Sequence, residues 1–394
     1  MNKIKNIPQG YKATSLGIIP QEWEISTLNN ACNFLDSQRI PIKDSDRIKE
    51  PGIYPYYGAS GIIDYIKKYI FDDELILLAE DGANIINRST PIAFLVNGKI
   101  WVNNHAHVLK VKSQFNRYYL CAYLESLRYD KYNTGTAQPK LNKDICKKIP
   151  VLMPPLSEQQ KIAQILELLD KAIEKQSQLI EKLELRKKGL MQQLLTGKRR
   201  LPGFATPWKI YELCELFQER NEKNRIDLPL LSISGDHGVI LQTESNKRDT
   251  SNEDKSKYKR INKGDIGYNT MRMWQGRSAL SDLEGIVSPA YTIVTPNKEV
   301  DGYYMSNLFK RPRLMYDFWT HSQGLVEDTL NCKYRDFGKV RINCPSYIEQ
   351  KAISKIITAT NHEIELAKQK LELFRQQKHG LMQQLLTGKK RVKL

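Results

Sequence analysis

Two stretches of this chain carry apolar residues at the spacing of a long helix rather than of a compact globular segment. From 166 onward they recur at Leu166, Leu169, Ile173, Ile180, Leu183, Leu190 and Leu194, in steps that keep one face apolar. The series is interrupted at Gln176 and Lys187. Near the C-terminus the same spacing runs through Ile357, Ile364, Leu371, Phe374 and Leu381, with Ala367 and Lys378 where the first series has its interruptions. Each stretch predicts a helix of about forty residues, on the order of 60 Å long. So thin an element buries its stripe best against its twin. An antiparallel coiled coil is expected, with these residues as its seam and the lysines fixing register at some cost in stability.

The two stretches are copies. GLMQQLLTGK occurs at 189–198 and again at 380–389, 191 residues on, and the alignment extends without a gap to 157–198 against 348–389. Pro154-Pro155 blocks helix upstream, and Ser157-x-x-Gln160 reads as a capping box, with Ser346-x-x-Glu349 in the second copy. Gly197 and Gly388 stand where a C-terminal cap belongs. Gly189 and Gly380 lie inside the helices, where glycine costs about 1 kcal/mol against alanine. Their presence in both copies predicts a shared close approach or bend.

Outside the helices the pattern shortens to strand length. ELILLAE (74–80), PIAFLV (91–96) and HVLKV (107–111) read as strands and RYYLCAYLESL (117–127) as a helix. Later, GDIGYN (264–269) and AYTIVTP (290–296) read as strands and YYMSNLFK (303–310) as a helix. The two regions begin alike, PQEWEISTL against TPWKIYEL, and end alike, KKIPVLMPP against GKVRINCPS, but their interiors diverge. The expected fold is α+β: two α+β domains alternating with two long helices, pseudo-twofold and nearly cyclic. The segments are 1–152 (first domain), 153–199 (central helical region), 200–343 (second domain) and 344–394 (C-terminal helical region). The N-terminal IPQGYKATSLGIIPQEW would complete the junction that the C-terminal GKKRVKL leaves open.

Composition then narrows the partner. The 394 residues carry 61 Lys+Arg against 44 Asp+Glu, a formal charge of +17, which favours a polyanion. Six scattered cysteines without a Cys-x-x-Cys read as reduced thiols, and neither a signal peptide nor a membrane span is evident, so a cytoplasmic location is expected. Matched frames around unmatched interiors imply two recognition events, and double-stranded DNA is the natural object. Its base edges are read by Asn, Gln, Arg and Lys, and its phosphates are held by Lys and Arg. The candidates in the first interior are Tyr57, Ser60, Lys67, Asn84, Arg88, Asn103, Asn104, His105, Gln138 and Lys140. Those in the second are Lys247, Arg248, Lys257, Lys259, Arg260, Asn269, Arg272, Trp274, Gln275, Arg277 and Gln323. The stretch 245–263 holds seven Lys/Arg against three acids and reads as a phosphate-facing loop. Many of these charges also fit an ordinary solvated face. Asn103, Asn104, His105 and His107 lack an evident third metal ligand, so a turn or substrate contact is the better reading.

No catalytic constellation stands out. The phosphate loop of a motor is missing, as are a glycine-rich dinucleotide fingerprint and a metal-nuclease cluster, and Met153-Pro154-Pro155-Leu156 lacks the flanking residues an amino-methyltransferase needs. The chain is expected to bind no cofactor and no metal of its own.

GYKATSLGIIPQEWE (10–24), YYGASGIIDYI (56–66), EDGAN (80–84), WVNNHAHVL (101–109), PPLSEQQKIAQIL (155–166), GDIGYNTMRMWQGRSA (264–279), IVSPAYTIVTP (286–296) and both LMQQLLTGK copies together resemble the DNA-specificity (S) subunits of type I restriction-modification enzymes, over essentially the whole chain. CPSYIEQKAI is the one segment that departs from the usual form. The resemblance implies two target-recognition domains, each reading half of a bipartite asymmetric site, with the helices as a ruler. Half-sites about one helical turn apart, ~34–36 Å, lie within the reach of such helices. It further implies two modification subunits supplying S-adenosylmethionine-dependent adenine N6 methylation, and restriction subunits supplying ATP- and Mg-dependent translocation and cleavage. The chain itself would be non-catalytic. Against this stand a self-contained DNA methyltransferase or nuclease, which would bind cofactor alone, and a coiled-coil adaptor or inactive specificity variant, which would bind DNA without regard to sequence.

Overall fold

The computed structural model describes residues 7–49, 51–135, 138–234, 238–245 and 251–393. They form two compact units: Met1–Leu179 with Ala367–Leu394, and the continuous stretch Ile180–Leu366. Both long helices are uninterrupted, Leu156–Leu194 and Tyr347–Leu385, and each contributes one part to each unit. The units therefore cut across the four segments drawn from the sequence.

In the first unit the sheet has six strands in the spatial order Cys32–Phe34, Ala106–Val111, Phe71–Ala79, Ala93–Val102, Pro51–Gly58 and Gly61–Ile66. All neighbours run antiparallel except Pro51–Gly58 against Ala93–Val102. The Leu75–Ala79 run is buried throughout, as its unbroken apolar sequence requires of a central strand. Helix Arg117–Ser126, capped by the Asn116 side chain, covers the sheet. Ile162, Leu166, Leu385 and Leu386 complete this core, so the start of one long helix meets the end of the other and the pair is antiparallel.

The second unit is built alike on a smaller sheet, ordered Phe217–Arg220, Tyr291–Pro296, Ile266–Asn269 and Ser278–Leu280. Helices Gly302–Leu308 and Pro312–His321 pack beside it around Phe217, Phe309, Phe318 and Phe337. Leu194 and Leu195 meet Ile353 and Ile357 in this core, again antiparallel.

Leu166, Leu169, Leu183, Ile357 and Ile364 are buried, and Ile173, Ile180, Leu190, Leu371, Phe374 and Leu381 are half-buried. Gln176 is accommodated because its amide donates to the Ala367 carbonyl at 3.0 Å, and alanine leaves that oxygen reachable. Lys378 is neutralised by Asp170 at 2.5 Å, which also accepts from the Tyr118 hydroxyl.

Two local expectations change. The helices start at Leu156 and Tyr347, so Ser157 lies inside the first turn, past the cap position. The Glu158 and Gln159 amides bond to the Pro155 carbonyl instead. At Gly189 and Gly380 an added Cβ would meet nothing within 4 Å, and both helices continue through them, so neither marks a close approach among the described residues.

Each unit is closed by the same clamp. Glu158 is fully buried and accepts from Trp23 Nε1 at 3.0 Å and from Arg391 Nε and Nη2 at 3.1 and 2.8 Å. Glu349, its counterpart one repeat on, accepts from Trp208 Nε1 at 3.3 Å and from Arg200 Nε and Nη2 at 2.7 and 2.8 Å. Gly388 and Gly197 end their helices at φ +71° and +69°, and their missing side chains make room for Trp23 and Trp208. The adjacent glutamines are matched as well. Gln159 bonds to Pro154 O, Gln114 O and Asn116 N; Gln350 bonds to Pro345 O, Glu299 O and Asp301 N. Asn116 and Asp301 are the side chains that cap Arg117–Ser126 and Gly302–Leu308, so each long helix fixes the position of a shorter one.

Arg391→Ala leaves a buried carboxylate with the indole alone, and should lower the stability of the first unit by about 3 kcal/mol. Adding Glu158→Gln should recover part of that loss in the same denaturant titration. Gly189→Ala and Gly380→Ala should each raise the stability of their helix by up to about 1 kcal/mol. A loss in either would show that the glycine is needed for packing.

Candidate nucleic-acid interface

In the first unit the candidates gather at one end of the sheet because two central strands meet there. Phe71–Ala79 pairs antiparallel with Ala106–Val111, ending in the contact Ala79↔Ala106, which places Glu80-Asp81-Gly82 beside Asn103-Asn104-His105. A third segment is stapled on: Leu141 N donates to Glu80 O at 2.7 Å and Gly82 N to Pro139 O at 3.0 Å. The Gly58–Gly61 hairpin tip joins through Asn103 N and Tyr57 O at 3.0 Å. Between them lies a cleft of about 510 Å³ lined by Ser60, Asp81, Asn84 and His105. His105 Nδ1 sits 2.8 Å from the Asp81 carboxylate while half of its side chain stays exposed.

A buried polar network holds these loops. His107 is fully buried, with Nδ1 2.8 Å from Asp36 Oδ2 and Nε2 2.8 Å from Leu141 O. Two acceptors on one ring require both nitrogens to be protonated. Burial opposes that charge, but the hydrogen bond to Asp36 and the charge of that carboxylate outweigh it and hold the imidazole at about 10. Asp36 is likewise held below its ordinary value: burial works against this, and His107, the Val108 amide and Arg39 overcome it. Arg39 Nη1 reaches Glu80 Oε2 and Ala106 O, both at 2.7 Å, and Lys140 lies 3.6 Å from Glu80. Asp36, Arg39, Glu80 and Asp81 were not singled out from the sequence. Asp36 is 71 residues from the histidine it holds, and no local pattern links them.

The sequence-selected residues of this unit divide by environment. Ser60, Asn104, His105, Gln138 and Lys140 are exposed at or beside the loops, and Lys67 is exposed just past strand Gly61–Ile66. Tyr57 is half-buried against Phe94, and burial raises its hydroxyl. Asn103 is buried with its amide oxygen accepting from His105 N, so it shapes the turn. The Asn84 amide is engaged by Thr90 and Ser89, closing its own loop. Arg88 turns to Glu125 and lines a different cleft.

The second unit repeats the construction with other residues. Strand Ile266–Asn269 runs into a loop whose 3-10 turn Met273–Gln275 is anchored by fully buried Met273. Gly276 adopts φ +70° with Met315 against it, which sets Gln275 and Arg277 outward. Asn269 Oδ1 accepts from Met271 N, Trp274 Nε1 donates to Met271 O, and Arg272 is half-buried. Cys332 N donates to Thr270 O at 2.8 Å, matching the Leu141–Glu80 bond, with Cys332 and Leu141 one repeat apart. Gln323 is exposed and exchanges backbone bonds with Asn331.

The basic stretch reads differently in three dimensions. Lys257 is exposed, but Lys259 and Arg260 belong to strand Lys259–Ile261. Lys259 is largely covered, burial lowers its ammonium, and it lies 3.7 Å from Glu219. Arg260 is taken up by Glu222 and Glu284. Both serve internal ion pairs, a partnership that residue type could not disclose. Lys247 and Arg248 lie outside the described residues. Among the described residues no group of three or more His, Cys, Asp or Glu is placed to hold a metal, and no helix is long and apolar enough to cross a membrane.

The two units thus carry unlike sets of polar loops, each closed by a backbone bond at matching positions of the repeat. Residues 20–185 match the family described as the type I restriction modification DNA specificity domain. A Haemophilus influenzae protein assigned as a type I restriction enzyme specificity subunit is 38% identical over 149 residues, 38% of this chain and 37% of that one. The Methanocaldococcus jannaschii type I restriction enzyme MjaVIII specificity subunit is 23% identical across 95% of this chain and 94% of its own. The fold is that of the type I restriction-modification S subunit from M. genitalium, with TM-score 0.58 and 14% identity over 94% of this chain and 96% of that one. A chain from a type I system solved to show complex assembly and conformational transition gives TM-score 0.53 and 16% identity over 94% and 99%. These likenesses support a type I restriction enzyme specificity (S) subunit and, with it, sequence-specific DNA recognition.

The His107 network sets a pH dependence. The imidazole stands above its unfolded value of about 6.5, so its contribution is complete below that pH and fades as pH climbs toward 10. Asp36 is held below about 3.9, so its contribution is complete above that value and fades as pH falls through it. Amide protection factors in Ala106–Val111 should decline from pH 7 to 10. Asp36→Asn should lower them and remove that decline; a decline that persists would assign it to another group.

Proposed function

We propose that each unit reads one half of a bipartite, asymmetric DNA site and that the paired helices set the gap between the halves. Supporting this is one observation: where the units agree they share helices, clamps and staples, and where they differ they carry loops rich in side chains suited to base edges and phosphates. In the first unit the readers are Ser60, Asn104, His105, Gln138 and Lys140. In the second they are Asn269, Arg272, Trp274, Gln275, Arg277 and Gln323, with Lys257 on phosphate.

The helices dock two modification subunits, which bring S-adenosylmethionine and flip the target adenine for N6 methylation. Restriction subunits add ATP- and Mg-driven translocation and cleavage. This chain contributes address and spacing, and binds no cofactor itself.

Mapping N6-methyladenine in a host expressing this chain with its modification subunit should return one bipartite motif with a fixed gap. Replacing residues 200–342 by the corresponding region of a relative should change one half of that motif and leave the other half and the gap intact. Changes in both halves, or methylation without any motif, would refute the half-site reading.

A further inference from the structure

Among the described residues the most exposed large apolar side chain is Leu325, at 101% of its free accessibility, and its chain neighbour Val326 is exposed as well, at 60%. They form the tip of the loop between helix Pro312–His321 and the short helix Tyr334–Phe337. A single exposed leucine is ordinary on a protein surface; this one is set apart by the way its loop is built.

The tip is fixed rather than trailing. Gln323 and Asn331 exchange two backbone bonds, at 3.0 and 2.7 Å, closing the loop at its base. The Thr329 and Leu330 amides return to Val326 O, and Thr329 Oγ1 bonds to the same oxygen. Gly324 has φ +142°, and a Cβ there would stand 2.6 Å from Thr329 O, so only glycine lets the two arms touch. The base of the loop is stapled to the 269–277 loop through Cys332 N and Thr270 O. Exposed Gln323, Lys333 and Arg335 flank it around a cleft of about 560 Å³. The Asn331 amide oxygen, which also lines that cleft, is buried without a hydrogen-bond partner.

We propose that Leu325, backed by Val326, is a wedge that enters a base step of the DNA half-site read by the second unit and partly unstacks it. The proposal rests on the half-site reading above. An apolar tip of two residues is far too small for a protein–protein contact, which needs on the order of 1,000 Å². It matches the single side chain that a base step admits. The polar and cationic flanks suit the phosphates and base edges on either side of such a step, and would repel an apolar protein surface. The wedge adds a form of recognition that makes no base contact: steps that unstack easily, such as TA and CA/TG, are favoured because the protein must deform them.

The test uses the full chain assembled with its modification subunit, on duplexes carrying the mapped site with 2-aminopurine at successive positions of the second half. Wild type should raise the fluorescence at one step other than the methylated adenine. Leu325→Ala should lose that rise while the methylated motif keeps both halves, and Leu325→Met should keep most of it. No rise away from the target adenine, or a rise that survives Leu325→Ala, overturns the wedge and leaves half-site reading standing. Failure of Leu325→Ala to assemble with the modification subunit would assign the tip to a protein contact and overturn it too. Methylation without any motif overturns both readings.

Discussion

A carboxylate taken out of water needs charged and hydrogen-bonding partners, and in this chain the need is met twice in the same way. Glu158 and Glu349 each sit at the start of a long helix, and each is satisfied by an indole N–H and a guanidinium from far along the sequence. Domain, helix and following tail must all be in place at once, because any missing member leaves a charge stranded in the core. The neighbouring glutamines extend the constraint to the caps of Arg117–Ser126 and Gly302–Leu308. The loops at the sheet ends can therefore vary freely: the frame that positions them is held by residues none of which belong to those loops.

That division explains why the two units share a frame and not a surface. In the first, the Leu141–Glu80 staple sits over the His107–Asp36 network, whose charges are buried and fully partnered. In the second, the matching Cys332–Thr270 staple sits over a cluster of aromatic rings around Phe337. One is polar and the other apolar, yet both fix the same two loops relative to the sheet. Rigidity beneath a variable loop is what recognition needs, since ordering a reader at the moment of binding costs affinity.

The long helices were legible in the sequence because a heptad spacing and a repeated decapeptide both act locally. The strands at 71–79 and 106–111 and the helices at 117 and 302 were legible for the same reason. What could not be read was partnership across distance. Nothing near Trp23 names Glu158, and nothing near Glu158 names Arg391, 233 residues away. Lys259 and Arg260 looked like phosphate ligands because charge type is local, whereas their carboxylate partners Glu219, Glu222 and Glu284 come from other segments of the chain. Asn103 looked like a reader because Asn-Asn-His is polar, whereas the turn that buries its amide is set by the pairing of two strands. The wedge at Leu325 was overlooked because an isolated leucine in a sequence reads as core.

The closure of the first unit by Arg391 also orders events in time. A ribosome delivers the chain from the N-terminus, and domains ordinarily fold in that order. Here residues 180–366 are contiguous, and the buried Glu349 finds both Trp208 and Arg200 within that stretch. The first unit, begun earlier, must wait for residues 367–391 before Glu158 is neutralised and Leu166 is covered. The domain made first is the last to be finished, and a nascent chain arrested before its final turn of helix would hold one completed unit and one still open.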